Sequence, residues 1–277
     1  MFRSRVLDEI GRLDPVHDHQ RIVFLSTRVD FPFDTTRALE LALFRTFGVP
    51  SIGALLHRTG EFERRAQKRY DDTDIIVSEM MEHGYESERG RAAIARMNAI
   101  HGRFKIANED FLYVLSTFVF EPIRFNARFG WRRMTDREKH ALFQFWRAVG
   151  ERMGITDIPA DFTTFQNFSA DYEARRYRFT DANRAVGAAT VELFAGWFPR
   201  PLHPLVRQAI YALMDEPTRR AFGFPNANPV VSALVMATMK ARAVALRFLP
   251  RRRRALLRTA MTHPTYPAGY SIERIGP

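Results

Sequence analysis

Residues 108–122 read NEDFLYVLSTFVFEP. Glu109 and Asp110 stand at the front, where a helix N-terminus favours negative charge. Asn108 reads as the N-cap, and Pro122 disturbs the far end. Between them apolar side chains cover almost the whole circumference, the pattern of a helix sunk in a core. This stretch therefore predicts a helical protein with the segment at its centre. Helical spacing continues outward on both sides. Residues 36–47 end at Gly48 and Pro50. Residues 69–82 form a second segment, broken by the turn-rich HGYESERG. Residues 89–105 form a third, and 135–154 open with Thr135 and Glu138 at capping-box spacing. Further helices are expected over 161–175, 181–198, 205–214 and 230–248. No alternating strand pattern, repeat or low-complexity linker interrupts them. The expectation is an all-α, single globular domain over residues 1–277, of roughly ten helices. A break near 199 sets off a C-terminal subregion, 200–277.

Composition narrows the chemistry. Hydrophobic residues make up 46% of the 277, with 24 Phe, 10 Met and 8 Tyr, an interior suited to bulky apolar ligands as well as to plain packing. The absence of cysteine excludes disulfides, zinc–thiolate sites, iron–sulfur clusters and thiolate-ligated haem. The opening MFRSRVLDEIGRLDP is charged throughout and does not read as a signal peptide. No window reaches the ~18 uncharged apolar residues of a spanning helix. The nearest approach, 229–250, is interrupted by Lys240, Arg242 and Arg247 and reads as a buried or interfacial amphipathic helix. The net charge is +11, with PRRRR at 250–254. No nucleic-acid-binding motif accompanies it. A basic run beside an amphipathic helix fits an anionic membrane surface, and a solvated basic face is the plainer reading. The expected location is cytoplasmic, with peripheral membrane contact and no nucleic acid partner.

Two stretches carry candidate chemistry. In RMNAIHGRF, 96–104, helical spacing puts His101 on one face with Ile94, Met97 and Phe104. A buried imidazole needs a partner: a carbonyl, a carboxylate or a metal. In KRYDDTDIIVSEM, 68–80, Arg69, Thr73, Ile76 and Met80 share a face. The plain reading pairs Arg69 with Asp72 or Asp74. The functional one aims guanidinium and hydroxyl into a pocket, where they hold a carboxylate or polarise bound oxygen. Of the other histidines, His17 and His19 form an HDH pair open to metal binding or to mere surface polarity. His57 and His83 read as exposed and His140 as half-buried. There is no P-loop, GxGxxG, GxSxG or HExxH.

The run RMNAIHGRFKIANEDFLYVLSTFVFEPIRF, with KRYDDT before it and TYPAGYSIERIGP after it, resembles the oxygenase family of the fungal mycophenolic-acid-pathway oxygenase and the bacterial rubber oxygenases (latex-clearing proteins). The likeness is nearer the fungal branch and extends from DPVHDHQ to the C-terminus. It implies a helical fold enclosing a b-type haem on one proximal histidine, whose position here is His101. Arg69 and Thr73 match the spacing of the rubber oxygenases' distal Arg and Thr. Asp72 stands where those enzymes carry a distal lysine, and Asn98, with Arg96 near, where they carry an arginine before the histidine. The resemblance thus assigns Arg69, Asp72 and Thr73 to catalysis, and His101, Asn98 and Arg96 to the cofactor, with His101 on iron. The general-base glutamate has no evident counterpart. The implied reaction is O2-dependent cleavage of a C=C bond in an isoprenoid or similar hydrophobic substrate, with Phe111, Phe118, Trp146 and Trp197 as candidate walls. The competing readings are a haem or peroxidase-like protein without alkene cleavage, favoured by Asp72, and a non-catalytic lipid-binding helical protein.

Overall fold

The computed structural model describes residues 5–277, so the first four residues of the charged opening stretch lie outside the described residues. Among the described residues the chain is all-α. Two short helices, α1 (Arg5–Ile10) and α2 (His19–Phe24), lead through a π-helical turn (Leu25–Asp30) into α3 (Pro32–Phe47). Then follow α4 (Pro50–Thr59), α5 (Glu61–Arg64), α6 (Ala66–His83), α7 (Glu88–His101) and α8 (Asn108–Phe129). The second half holds α9 (Asp136–Arg152), α10 (Phe162–Arg176), α11 (Asp181–Gly196), α12 (His203–Leu213), α13 (Glu216–Phe222) and α14 (Pro229–Phe248).

Helix α8 is central, as its apolar circumference demands. It packs against α3, α9 and α10 and buries Leu112, Tyr113, Leu115, Val119, Phe120, Phe125 and Phe129. Each such side chain contributes about 1.5–3 kcal/mol on full burial. Three local expectations need correction. The N-cap is Ala107; the Asn108 side chain instead pairs both ways with the Thr156 backbone, at 2.9 and 3.0 Å. Pro122 does not end α8, which continues to Phe129. Helix α7 stops at His101 against Gly102, so Phe104 lies beyond it and His101 is its last residue. The capping box on α9 is present as the spacing predicted.

Buried charge fastens the periphery. Arg45, on α3, reaches Glu121 at 2.6 Å, Glu173 at 2.8 Å and Asp215, joining α8, α10 and the turn before α13. Beyond α14 the chain doubles back over α6. Arg258 pairs with Asp74, and Thr259 donates to Glu82. The Thr265 amide donates to Asp71 and the Tyr266 hydroxyl to Asp72. Tyr270 donates to Glu79. The acidic side of α6 is thus the seat of the C-terminal segment, which ties 200–277 to the rest.

Helix α14 departs from expectation. Only Ala243 is buried along it, which removes the buried alternative. Its 20 residues, with mean hydropathy 1.4, are long and apolar enough to cross a membrane by length and composition, the interrupting charges notwithstanding. One side is nevertheless tied to the protein: Arg242 pairs with Asp34 at 2.8 Å, and Arg247 donates to the Trp131 carbonyl. Val230, Leu234, Val244 and Phe248 are exposed.

Candidate active site

Helix α6 has two faces. One holds the C-terminal segment; the other carries Arg69 and Thr73. Arg69 donates to the Thr73 hydroxyl, which in turn donates to the Arg69 carbonyl one turn back at 3.0 Å. The guanidinium lies over the Phe62 ring. Burial pulls its pKa down, against the pull of Asp72 and Glu61.

His101, the last residue of α7, lies within reach of the Arg69 charge. Burial first, and then the Arg69 charge, push its imidazole down to about 4. The ring is therefore neutral near pH 7. Phe111 packs edge-on against it with centroids 5.3 Å apart. Its Nδ1 is buried and has no hydrogen-bond partner. Such an orphan is costly in a folded protein. A neutral imidazole in apolar surroundings with an unused nitrogen is suited to hold a metal centre. Among the described residues no group of three or more His, Cys, Asp or Glu side chains could hold a metal ion, so His101 stands as a single donor.

Seven residues along α8 from Phe111, and so on nearly the same face, Phe118 packs on Trp146 at 4.6 Å. The Trp146 indole N–H is a second buried orphan. A cavity of about 30 Å³, room for one water-sized molecule, lies against Thr73, Val77, Phe118 and Tyr70, with Glu40 and Asp74 on its border.

The comparisons with known proteins bear on this arrangement. Residues 38–248 match the family model described as "ER-bound oxygenase mpaB/B'/Rubber oxygenase, catalytic domain". The chain belongs to this oxygenase family. It is 32% identical to the ER-bound oxygenase mpaB' of Penicillium brevicompactum over 83% of this chain and 59% of the relative. It is 33% identical to the ER-bound oxygenase mpaB of Penicillium roqueforti (strain FM164), over 71% of this chain and 72% of the relative. With mpaB of Penicillium brevicompactum the identity is 34% over 63% of this chain and 49% of the relative. The chain thus spans from about half to nearly three quarters of the length of these curated relatives.

Of the residues singled out by sequence, Arg69 and Thr73 are in contact, and the Arg69 charge acts on His101. Asp72 is engaged elsewhere: Lys68 reaches it at 2.9 Å and Tyr266 donates to it at 2.5 Å. Asn98 donates to the Arg152 carbonyl, and Arg96 to that of Ile275. Both serve contacts between segments. Trp197 packs on Tyr70 and donates to Gln67, outside the small cavity. His140 is exposed rather than half-buried and stacks on Phe162. His19 spends both ring nitrogens, on the Val16 carbonyl and on the Tyr85 hydroxyl. His203 lies on the Phe198 carbonyl.

Sequence reasoning passed over Glu40 and Tyr70. Tyr70 donates to Glu40 at 2.8 Å, and burial pushes the Glu40 carboxyl up to about 7. Its signal was available: a lone carboxylate inside the apolar run ALELALF, 38–44.

Proposed function

We propose that this oxygenase domain is haem-dependent and uses O2 on a hydrophobic, unsaturated substrate such as an isoprenoid chain, cleaving a C=C bond to carbonyl products. The observation that carries the reading is the buried, unpartnered Nδ1 of a neutral His101, set in the field of Arg69, which in turn holds Thr73. His101 would be the protein's ligand to a b-type haem, which when bound supplies the iron for dioxygen chemistry. The remaining N–H groups of Arg69, whose guanidinium Thr73 holds in place, would supply fixed donors where polarity at the reacting centre is needed. Phe111, Phe118 and Trp146 keep the surroundings apolar and water out.

Asp72 favours a second reading, a haem protein without alkene cleavage. Where rubber oxygenases carry a free lysine, this chain has a carboxylate already paired with Lys68. Ultraviolet–visible spectra with an iron assay on the purified chain test the shared part. A Soret band with one iron per chain, lost in His101→Ala, is the expected result. Iron without a Soret band, or full haem retention in that variant, defeats it. Product analysis with isoprenoid alkenes under O2 then separates the two readings.

The exposed side of α14 carries a proposal of its own. Val230, Leu234, Val244 and Phe248 fall on one stripe by helical spacing, and exposed Arg252, Arg253 and Arg254 follow. An apolar stripe ending in arginines suits peripheral docking on an anionic membrane at the cytoplasmic side.

A further inference from the structure

The small cavity beside Thr73 is too tight for any alkene, so a substrate needs another way in. Beyond Glu40 lies a second space, a groove of about 410 Å³ between α3, α11, α12 and α14. Its floor and walls include Phe44, Phe194, Trp197, Leu205, Ala209 and Leu234. Polar side chains enter it only as Arg37 and Glu40 at one end and Thr238 on α14. Glu40 borders the groove and the small cavity alike. Trp197, in the groove, rests on Tyr70, in the cavity wall, with ring centroids 5.0 Å apart. Where the two spaces approach, Glu40 is held by Tyr70 at 2.8 Å and Arg37 at 2.7 Å, and Trp197 and Phe194 pack on Tyr70 from the groove side.

We infer that this groove is the entrance for the apolar chain of the substrate and that Glu40, Tyr70 and Trp197 form the gate between it and the Arg69–Thr73–His101 site. The inference rests on the reading above for the nature of the substrate. Three features single out an apolar chain as the occupant. The groove is long, open and almost free of polar groups, a lining that discriminates by apolar area rather than by hydrogen bonding. It is continuous with the exposed stripe of α14 through Leu234, which belongs to both. The arginines after α14 complement an anionic bilayer, where a lipid-like chain resides. A gate made of hydrogen bonds to one carboxylate opens by side-chain rotation, without unfolding a helix.

The test uses the purified full chain and an isoprenoid probe, a farnesyl chain bearing a diazirine, with labelled residues mapped by tandem mass spectrometry. In the wild type, label is expected in the groove at Leu205 and Leu234 and in the inner wall at Val77 and Phe118. Leu205→Trp fills the mouth from an exposed position, and Ala209→Trp fills the middle. Each should reduce inner-wall labelling several-fold. Glu40→Ala, which removes the gate carboxylate, should raise it, while Glu40→Gln, which still accepts from Tyr70, should stay near wild type. Inner-wall labelling that persists when the groove is filled, or that is absent from both wild type and Glu40→Ala, overturns the inference. Labelling does not require haem, so a chain that binds none would defeat the haem-dependent reading and leave this result standing.

Discussion

Tyr266 donates its hydroxyl hydrogen to Asp72 across 194 positions of the chain, at 2.5 Å. The same carboxylate takes Lys68 on its other oxygen. Asp72 is therefore satisfied within the fold, and replacing it by the lysine of the rubber oxygenases sets a second cation beside Lys68. Asp72→Lys is expected to destabilise the protein by at least about 2 kcal/mol and to confer no gain in oxygen chemistry. Tyr266→Phe, which removes one hydrogen bond to a charged acceptor, should cost about 1–3 kcal/mol. Urea unfolding of the variants decides it; a stable Asp72→Lys protein would contradict the assignment.

His101 makes stability depend on pH in a defined direction. Its imidazole is held down to about 4 against an ordinary 6.5. The unfolded chain therefore takes up a proton that the folded chain refuses between those values. The stability tied to the neutral ring is present above pH 6.5 and is lost as pH falls toward 4, by at most about 3 kcal/mol. Between pH 7 and 4.5 the cofactor-free chain should lose unfolding free energy relative to His101→Leu, which has no such group to protonate. A difference that does not change with pH counts against a buried neutral ring.

Arg69 contributes to that depression through its charge. In Arg69→Gln the His101 pKa should rise, as followed by nuclear magnetic resonance of the ring C–H signals. Thr73→Val, which keeps the charge, should move it far less. Equal shifts in the two variants would mean that Arg69 acts on His101 through packing and not through its field.

Arg45 is the partner of three carboxylates at once. Arg45→Met leaves Glu121, Glu173 and Asp215 facing one another with only Arg124 near Glu121 and Glu173. Breaking a buried ion cluster from one side costs about 3–5 kcal/mol. Thermal unfolding should show this as the largest loss among single substitutions of surface-remote arginines, and a loss below about 1 kcal/mol would show the cluster to be effectively solvated.

Docking through α14 predicts co-sedimentation with phosphatidylserine vesicles that weakens with salt. Phe248→Glu and replacement of Arg252, Arg253 and Arg254 by Gln should each reduce it, the first at all salt concentrations and the second chiefly at low salt. Binding to neutral vesicles of equal strength would leave the arginines without a role.

The sequence was readable where one physical signal dominated. The apolar circumference of 108–122 placed α8 at the centre, and the Thr135–Glu138 box opened α9, because burial and capping are local and strong. Arg69, Thr73 and His101 were legible as polar groups on core faces, and the fold places Arg69 against Thr73 with its charge acting on His101. Other features depended on partners far away in the chain. Asn108 looked like a cap until Thr156 claimed its side chain. Asp72, Arg96 and Asn98 looked like site residues, but the C-terminal segment and the end of α9 use them. Helix α14 looked interrupted by charge because the sequence does not show that Arg242 points inward to Asp34. The short helices α1, α2, α4, α5 and α13 span too few turns for periodicity to speak.

Pro122 lies inside α8 and has no N–H to offer, so the Phe118 carbonyl one turn earlier loses its usual helical donor. Phe118 is also a wall of the small cavity. The central helix therefore lacks one rung of its hydrogen-bond ladder at the turn where Phe118 both packs on Trp146 of α9 and borders the cavity. A carbonyl freed of its ladder partner in that turn is an acceptor that the helix itself does not use, a polar vacancy that its own sequence writes into the backbone of the central rod.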